Sequence, residues 1–286
     1  MTGFNFGGLQ DDKARLESSK TVIVPVPYDG TTSFRSGTRE GPLAIISASR
    51  FLELYDEETD QDVSETGIAT LGELEPLASS PEAMIEAVHK ACLPLLQQGK
   101  TVVVLGGEHS VSLGAIKAVA DYKPSFSILQ FDAHADLRNS YQNTPFSHAC
   151  VMRRAMGYNP IEQVGIRSLS REEAVFIKGS GLKPFYAPSV LADREAVLQE
   201  LLTRLLPEVY ITIDLDVLDP SIMPAVGTPE PGGLGWYDLL FLLRHIAREK
   251  HVLAFDVVEL SPQPGNVAPD FLAAKLIYKL LNYIGH

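Results

Sequence analysis

Residues 126–136 read Phe126-Ser-Ile-Leu-Gln-Phe-Asp-Ala-His-Ala-Asp136. A short, mainly aliphatic and aromatic run ends abruptly in three polar side chains separated by single alanines. The run is apolar on successive positions instead of alternate ones, as a strand covered on both faces of a parallel sheet must be. Four other stretches have the same character: Thr21–Val26, Val102–Leu105, Tyr210–Leu215 and Val252–Val258. Helix-like stretches lie between and after them, at Pro81–Gln98, Val111–Tyr122, Asp193–Leu206, Tyr237–Lys250 and Phe271–Ile284. Strands that alternate with such helices predict a doubly wound α/β fold of three layers, αβα, around a central, mostly parallel sheet. The segments Pro27–Pro42 and Ser221–Gly235 are rich in Gly, Pro and Thr and are expected to be ordered loops at one rim.

A chain of 286 residues can bury a large core, and it is read as one domain, 1–286. Hydrophobic residues at 45% and charged residues at 21% exclude a disordered or fibrous chain. No stretch reaches the roughly 20 apolar residues needed to cross a bilayer. The N-terminus lacks a basic segment followed by a short apolar one, so a soluble, cytoplasmic protein with no membrane partner is expected. A net charge of -12 argues against a nucleic-acid partner, which demands clustered Lys and Arg, and mildly favours a cationic small molecule. Cys92 and Cys150 are too few and too far apart for a disulfide framework or a CxxC site, so both are expected to be reduced thiols.

In an open α/β sheet, ligands bind beyond the carboxyl ends of the strands, so polar residues straight after an apolar run are the candidates. They are Gly106-Gly-Glu-His109, Asp132-Ala-His134-Ala-Asp136, Asp214-Leu-Asp216 and Asp256-Val-Val-Glu259. In extended backbone, residues two apart share a face, so Asp132, His134 and Asp136 would aim three ligand atoms one way, and Asp214 with Asp216 would do the same. An isolated Asp-x-Asp is usually a turn or a cap; such clusters at three strand ends are a different matter. Four converging carboxylates cannot all stay ionised without cations. Arg138 is the only Lys or Arg in these clusters, which makes bound metal the simplest compensation. Imidazole with carboxylate and no thiolate suits Mn first, and Ni, Co, Fe or Zn next, better than Ca or Mg. Six ligands, His109, Asp132, His134, Asp136, Asp214 and Asp216, exceed what one tetrahedral ion needs and suit two ions that share carboxylates.

These motifs resemble the three signatures of the ureohydrolases, the family of arginase, agmatinase, guanidinobutyrase and formiminoglutamase. Pro27–Pro42 is similar to the family's N-terminal loop, Gly227-Thr-Pro-Glu-Pro-Gly-Gly233 to its active-site loop and Phe255-Asp-Val-Val-Glu259 to its last catalytic strand, so the likeness runs from about Thr21 onward. The resemblance implies the arginase-like fold and two Mn2+ per chain. His109, Asp132, Asp136 and Asp214 would hold one ion, and His134, Asp132, Asp214 and Asp216 the other. It also implies that Glu259 pairs with the guanidinium of a small cationic substrate while water ionised by the metals attacks it, releasing urea and an amine. His148 would shuttle a proton to that amine, although from its surroundings alone it could equally cap a helix beginning near Ala149. Thr228 would hydrogen-bond substrate, or belong only to a rigid turn. His89, His245, His251 and His286 are assigned no function. A homo-oligomer, trimer or hexamer, is implied as well.

The segment Leu137–Arg153 departs from the arginase pattern for gripping a free amino acid and is similar to bacterial agmatinases, as is the loop with Glu230. Agmatine, giving putrescine and urea, is therefore the expected substrate, as in polyamine biosynthesis. Guanidinobutyrate and guanidinopropionate are alternatives because a few loop residues decide which tail fits. Arginine is less favoured. Two readings from other classes are a single-zinc deacylase, which needs only one His and two Asp, and an inactive binding relative, which would be marked by a missing ligand.

Overall fold

The five apolar runs become the five inner strands of one sheet. A computed structural model describes residues 4–285. Its strands are β1 (Thr21–Val26), β2 (Ile68–Thr70), β3 (Thr101–Gly106), β4 (Ser127–Phe131), β5 (Ile161–Ile166), β6 (Phe185–Tyr186), β7 (Glu208–Asp214) and β8 (His251–Val258). Their order across the sheet is β2-β1-β3-β8-β7-β4-β5-β6. Every pairing in it is parallel, so the expected mostly parallel sheet is wholly so.

Side chains on a strand alternate between faces, and here both faces are covered. Val22, Val24, Val102, Val104, Ile128 and Tyr210 face one core. Ile23, Val103, Leu105, Leu129, Phe131, Ile211 and Ile213 face the other. The first core is closed by α2 (Pro81–Gln97), α3 (Ser112–Tyr122), α4 (Val151–Ala155) and α5 (Arg171–Ser180). The second is closed by α1 (Gly41–Ser49), α6 (Ala187–Ala192), α7 (Arg194–Arg204), α8 (Trp236–Glu249) and α9 (Ala268–Ile284). The result is the three-layer αβα fold. Cys92 and Cys150 are both free and buried. No described helix is long and apolar enough to cross a membrane.

The five helical stretches read from sequence reappear as α2, α3, α7, α8 and α9, shifted at their ends by caps. Asp193, for instance, stands outside α7 and accepts a hydrogen bond from Ala196 N–H at 2.9 Å. The helices α1, α4, α5 and α6 were not expected. Helix α1 takes over the last two residues of the Pro27–Pro42 loop. The rest of that loop and Ser221–Gly235 are ordered by burial of Tyr28, Asp29 and Thr31 in one, and of Met223, Ala225, Val226 and Leu234 in the other. Because all strands run the same way, the carboxyl ends of β3, β8, β7 and β4 stand side by side on one edge.

Candidate metal centre

His109 leaves β3 in a short 3-10 turn that follows two glycines. A Cβ on Gly107 would lie 2.0 Å from the carbonyl oxygen of Tyr28, so only glycine lets the chain pass the β1 loop this closely. The ring of His109 is 1% exposed and held from behind. Thr212 Oγ1 donates to Asp256 Oδ1 at 2.7 Å, and Tyr210 donates its phenolic proton to the other oxygen of Asp256. With its one proton committed there, Thr212 Oγ1 accepts from His109 Nε2 at 2.9 Å, so Nδ1 is the ring nitrogen turned towards the aspartates. That atom is buried without a hydrogen-bond partner, yet lies 3.1 Å from Asp132 Oδ2, 3.1 Å from Asp136 Oδ2 and 3.4 Å from Asp214 Oδ2. A buried imidazole nitrogen without a hydrogen-bond partner and ringed by carboxylate oxygens fits a metal ligand.

His134 Nδ1 lies 2.8 Å from Asp216 Oδ2 and 3.7 Å from Asp132 Oδ1. Two groups of potential ligands result, His109 with Asp132 and Asp214, and Asp132 with His134 and Asp216, the atoms of each group within 4.8 Å of one another. Asp132 belongs to both. All six residues expected from the sequence therefore converge, although not by simple alternation along extended backbone. Asp136 has a φ of 52°. Asp214 caps a 3-10 turn spanning Leu215–Val217 that contains Asp216, and its carboxylate accepts from Asp216 N–H at 2.9 Å. Turns, not pleats, aim these carboxylates.

Neighbouring donors fix the rest. Gln130 Nε2 donates to Asp132 Oδ2 at 2.6 Å, and Gln163 Nε2 donates to Gln130 Oε1 at 2.5 Å. Asp216 Oδ1 accepts from Ala133 N–H at 2.9 Å. The guanidinium of Arg167 donates to the carbonyls of Gly165, Asp216, Val217, Leu218, Glu230 and Pro231. Sequence reasoning missed Thr212, Gln130, Gln163 and Arg167. Thr212 faces Asp256 in the register of β7 with β8, a relation that no single segment displays.

The electrostatics of the cluster suit bound cations. Burial, with Asp132 alongside, pushes the Asp136 carboxyl up to about 7. Burial and then the charges of Asp216 and Asp132 raise Asp214 well above the carboxylate range. Burial would lower His109, but its three carboxylate neighbours override it and raise it well above the usual value. A cluster that traps protons for want of positive charge is one that divalent cations would relieve.

Beside the cluster lies a cavity of about 240 Å³, lined by His109, His134, Asp136, Asp214 and Asp216 together with His148, Thr228, Glu259, Arg138, Tyr141 and Glu173. Glu259 has a φ of 69° at the end of β8, and its Oε1 accepts from His109 N–H at 2.7 Å. Burial, then the charge of Glu108, raises its carboxyl to about 8. His148 is not the cap that its surroundings allowed: Ser147 Oγ accepts from Ala149 N–H at 3.4 Å and caps the turn. Burial, then the positive His109, lowers His148 to about 4. Thr228 lies on the cavity wall. Arg138 is 4.0 Å from Glu173 and stacks 4.9 Å from the Tyr141 ring centroid. His89, His245 and His251 lie outside this cavity, and His286 lies outside the described residues.

A family model described as the arginase family matches residues 19–282. The N(1)-aminopropylagmatine ureohydrolase of Synechocystis sp. is 38% identical over 271 residues, 92% of this chain and 89% of the relative. The N(1)-aminopropylagmatine ureohydrolase of Thermus thermophilus is 39% identical over 272 residues, 94% of this chain and 92% of the relative. The crystal structure of the agmatine ureohydrolase of Thermoplasma volcanium superposes with a TM-score of 0.89 at 32% identity, covering 100% of this chain and 95% of that one. The likeness includes every strand that delivers a residue to the cluster, and the chain belongs to the arginase family.

Proposed function

We propose that the protein hydrolyses a guanidino compound, with agmatine to putrescine and urea as the first choice. The observation that carries this reading is the buried carboxylate of Glu259, set in the cavity wall beside two overlapping groups of potential metal ligands. A guanidinium is planar, cationic and rich in paired N–H donors, so it complements a carboxylate in a dry site better than a neutral amide does. Its arrival would also let Glu259 ionise, because an opposite charge favours the charged form.

The six His and Asp side chains fit two divalent ions, Mn2+ first and Ni, Co, Fe or Zn as alternatives, which when bound supply the Lewis acidity that makes water a nucleophile near neutral pH. His109, Asp132, Asp136 and Asp214 would hold one ion, and His134, Asp132, Asp214 and Asp216 the other. Glu259 orients the guanidinium so that its carbon faces the cluster. Thr228 offers its hydroxyl to the substrate. As the C–N bond breaks, water gives its oxygen to urea, and His148, neutral at rest through burial, takes a proton from that water and hands it to the departing amine. The chain works as one domain and as a homo-oligomer, trimer or hexamer, whose mass light scattering would give.

A second reading is favoured by the two relatives at 38% and 39% identity, both named for N(1)-aminopropylagmatine. In it, the same centre takes a guanidine with a longer amine-bearing tail. Urea release from agmatine, N(1)-aminopropylagmatine, guanidinobutyrate and arginine by Mn-loaded and Ni-loaded protein, with metal counted per chain, tests both readings. Turnover of agmatine or its aminopropyl derivative with about two metals per chain is expected. A single zinc with deacylase activity, or two metals and no urea from any of the four, would defeat the proposal.

A further inference from the structure

Glu108, the neighbour of His109 in the chain, is fully buried, and its carboxylate is bound by Thr31 and Ser110. Its carboxylate is claimed by one neighbour above all. Thr31 N–H donates to Glu108 Oε2 at 2.5 Å, and Thr31 Oγ1 donates to Glu108 Oε1 at 2.6 Å. Ser110 Oγ donates to the same Oε1 at 2.5 Å. Two contacts to one residue, from backbone and side chain, fix Thr31 in a single rotamer.

A threonine hydroxyl has one proton. With that proton directed at Glu108, Thr31 Oγ1 can only accept from anything else. It does so from His148 N–H at 3.1 Å, and it also lies 3.2 Å from His148 Nδ1. An acceptor at that distance selects the imidazole form that carries its proton on Nδ1. Ser147 Oγ is equally near Nδ1, but it has no carboxylate behind it to decide the direction of its own proton. Among the described residues, His148 Nε2 has only Ser33 Oγ within hydrogen-bond distance, at 3.5 Å, and the ring lines the cavity.

We propose that Glu108 and Thr31 are positioning residues that hold His148 as the Nδ1–H tautomer and so leave the Nε2 lone pair as the proton-handling atom facing the substrate. The inference deepens the proposed function and rests on its assignment of His148. Its physical logic is that of a carboxylate behind a histidine, with a hydroxyl inserted between them. Without the pair, the ring would be free to adopt the other tautomer, whose Nε2 already carries a proton and cannot receive one from the reacting water.

Two measurements test it on the zinc-loaded, full-length protein. In 15N-histidine NMR, the wild type should show His148 with its proton on Nδ1. Thr31→Val should convert it to the other tautomer or to a mixture, and Thr31→Ser should restore it. A wild-type His148 protonated on Nε2, or a Thr31→Val spectrum unchanged from wild type, overturns the inference whether or not any substrate has been found. In urea release from agmatine, Thr31→Val should lower kcat by about 10-fold with KM and metal content unchanged, as the loss of an orienting partner does. The same change in a His148→Ala background should then add nothing, because the pair acts only through that ring. Additive losses, or a Thr31→Val kcat equal to wild type, count against it. If the tautomer behaves as stated but His148→Ala keeps full turnover, the positioning stands and the assignment of proton transfer to His148 falls.

Discussion

Two clusters of carboxylates in this molecule are treated in opposite ways. Under α9, Lys279 is 2% exposed and lies 2.9 Å from Asp56 Oδ2 and 2.9 Å from Glu57 Oε1. Burial pushes the Asp56 carboxyl up, but hydrogen bonds from Lys279 and Thr59 outweigh it and hold Asp56 below its usual range. At the carboxyl edge of the sheet, four aspartates crowd together without a Lys or Arg ion pair, and two of them are pushed up instead. The first cluster carries its own cation and is complete on folding. The second has no such cation of its own, and its His and Asp groups are able to bind metal.

The contrast breaks most sharply under single substitutions. Asp132→Asn or Asp214→Asn should abolish urea release while the variant still folds, since the amide keeps the shape of the carboxylate it replaces. Substantial turnover, or a fall in Tm as large as that of a core mutant, would mean that these carboxylates are not held in opposition. Lys279→Met should do the reverse, keeping metal binding but destabilising the fold by about 3–5 kcal/mol, the usual result of stranding a buried charge. Denaturant melts of the two variants side by side give the answer.

Metal itself sharpens the difference. Adding Mn2+ at about 1,000 times its Kd should stabilise wild type by about 4 kcal/mol, and this gain should vanish in Asp132→Asn but survive in Lys279→Met. His148→Ala should retain both metals and lose about 100-fold in turnover, the low end for acid-base catalysis. Loss of metal there would show that His148 had been misplaced. The smallest effect concerns pH. Because the folded Asp56 pKa is depressed, the stability it shares with Lys279 is full above the unfolded aspartate value of about 3.9 and is lost as pH falls through the folded value. Lys279 is raised, so its share is lost only as pH climbs beyond about 10.4. The Tm deficit of Lys279→Met should thus be flat from about pH 5 to 9 and shrink below about pH 4.

The inner strands were legible because burial on both faces leaves continuous apolar runs. The outer strands β2, β5 and β6 were not: β5 reads Ile161-Glu-Gln-Val-Gly-Ile166, its polar residues spent on Arg204 and on Gln130, and β6 has two residues. The six candidate ligands were legible from residue type and position alone. Their supports were not, since Thr212 acquires its role from a strand that pairs in space, and Thr31 from a motif 77 residues further along the chain. The short helix α5 hid behind a weakly apolar stretch whose start is set by the Ser170–Glu173 capping box.

Arg167 has a practical consequence for anyone redesigning this scaffold. Its single side chain staples the turn bearing Asp216 to the loop bearing Glu230 through main-chain carbonyls, so it is indifferent to which side chains those loops display. Loop sequences could therefore be exchanged to retune the tail pocket as long as the arginine stays. Lysine could not substitute, because a compact ammonium lacks the flat fork of five donors that reaches several carbonyls at once.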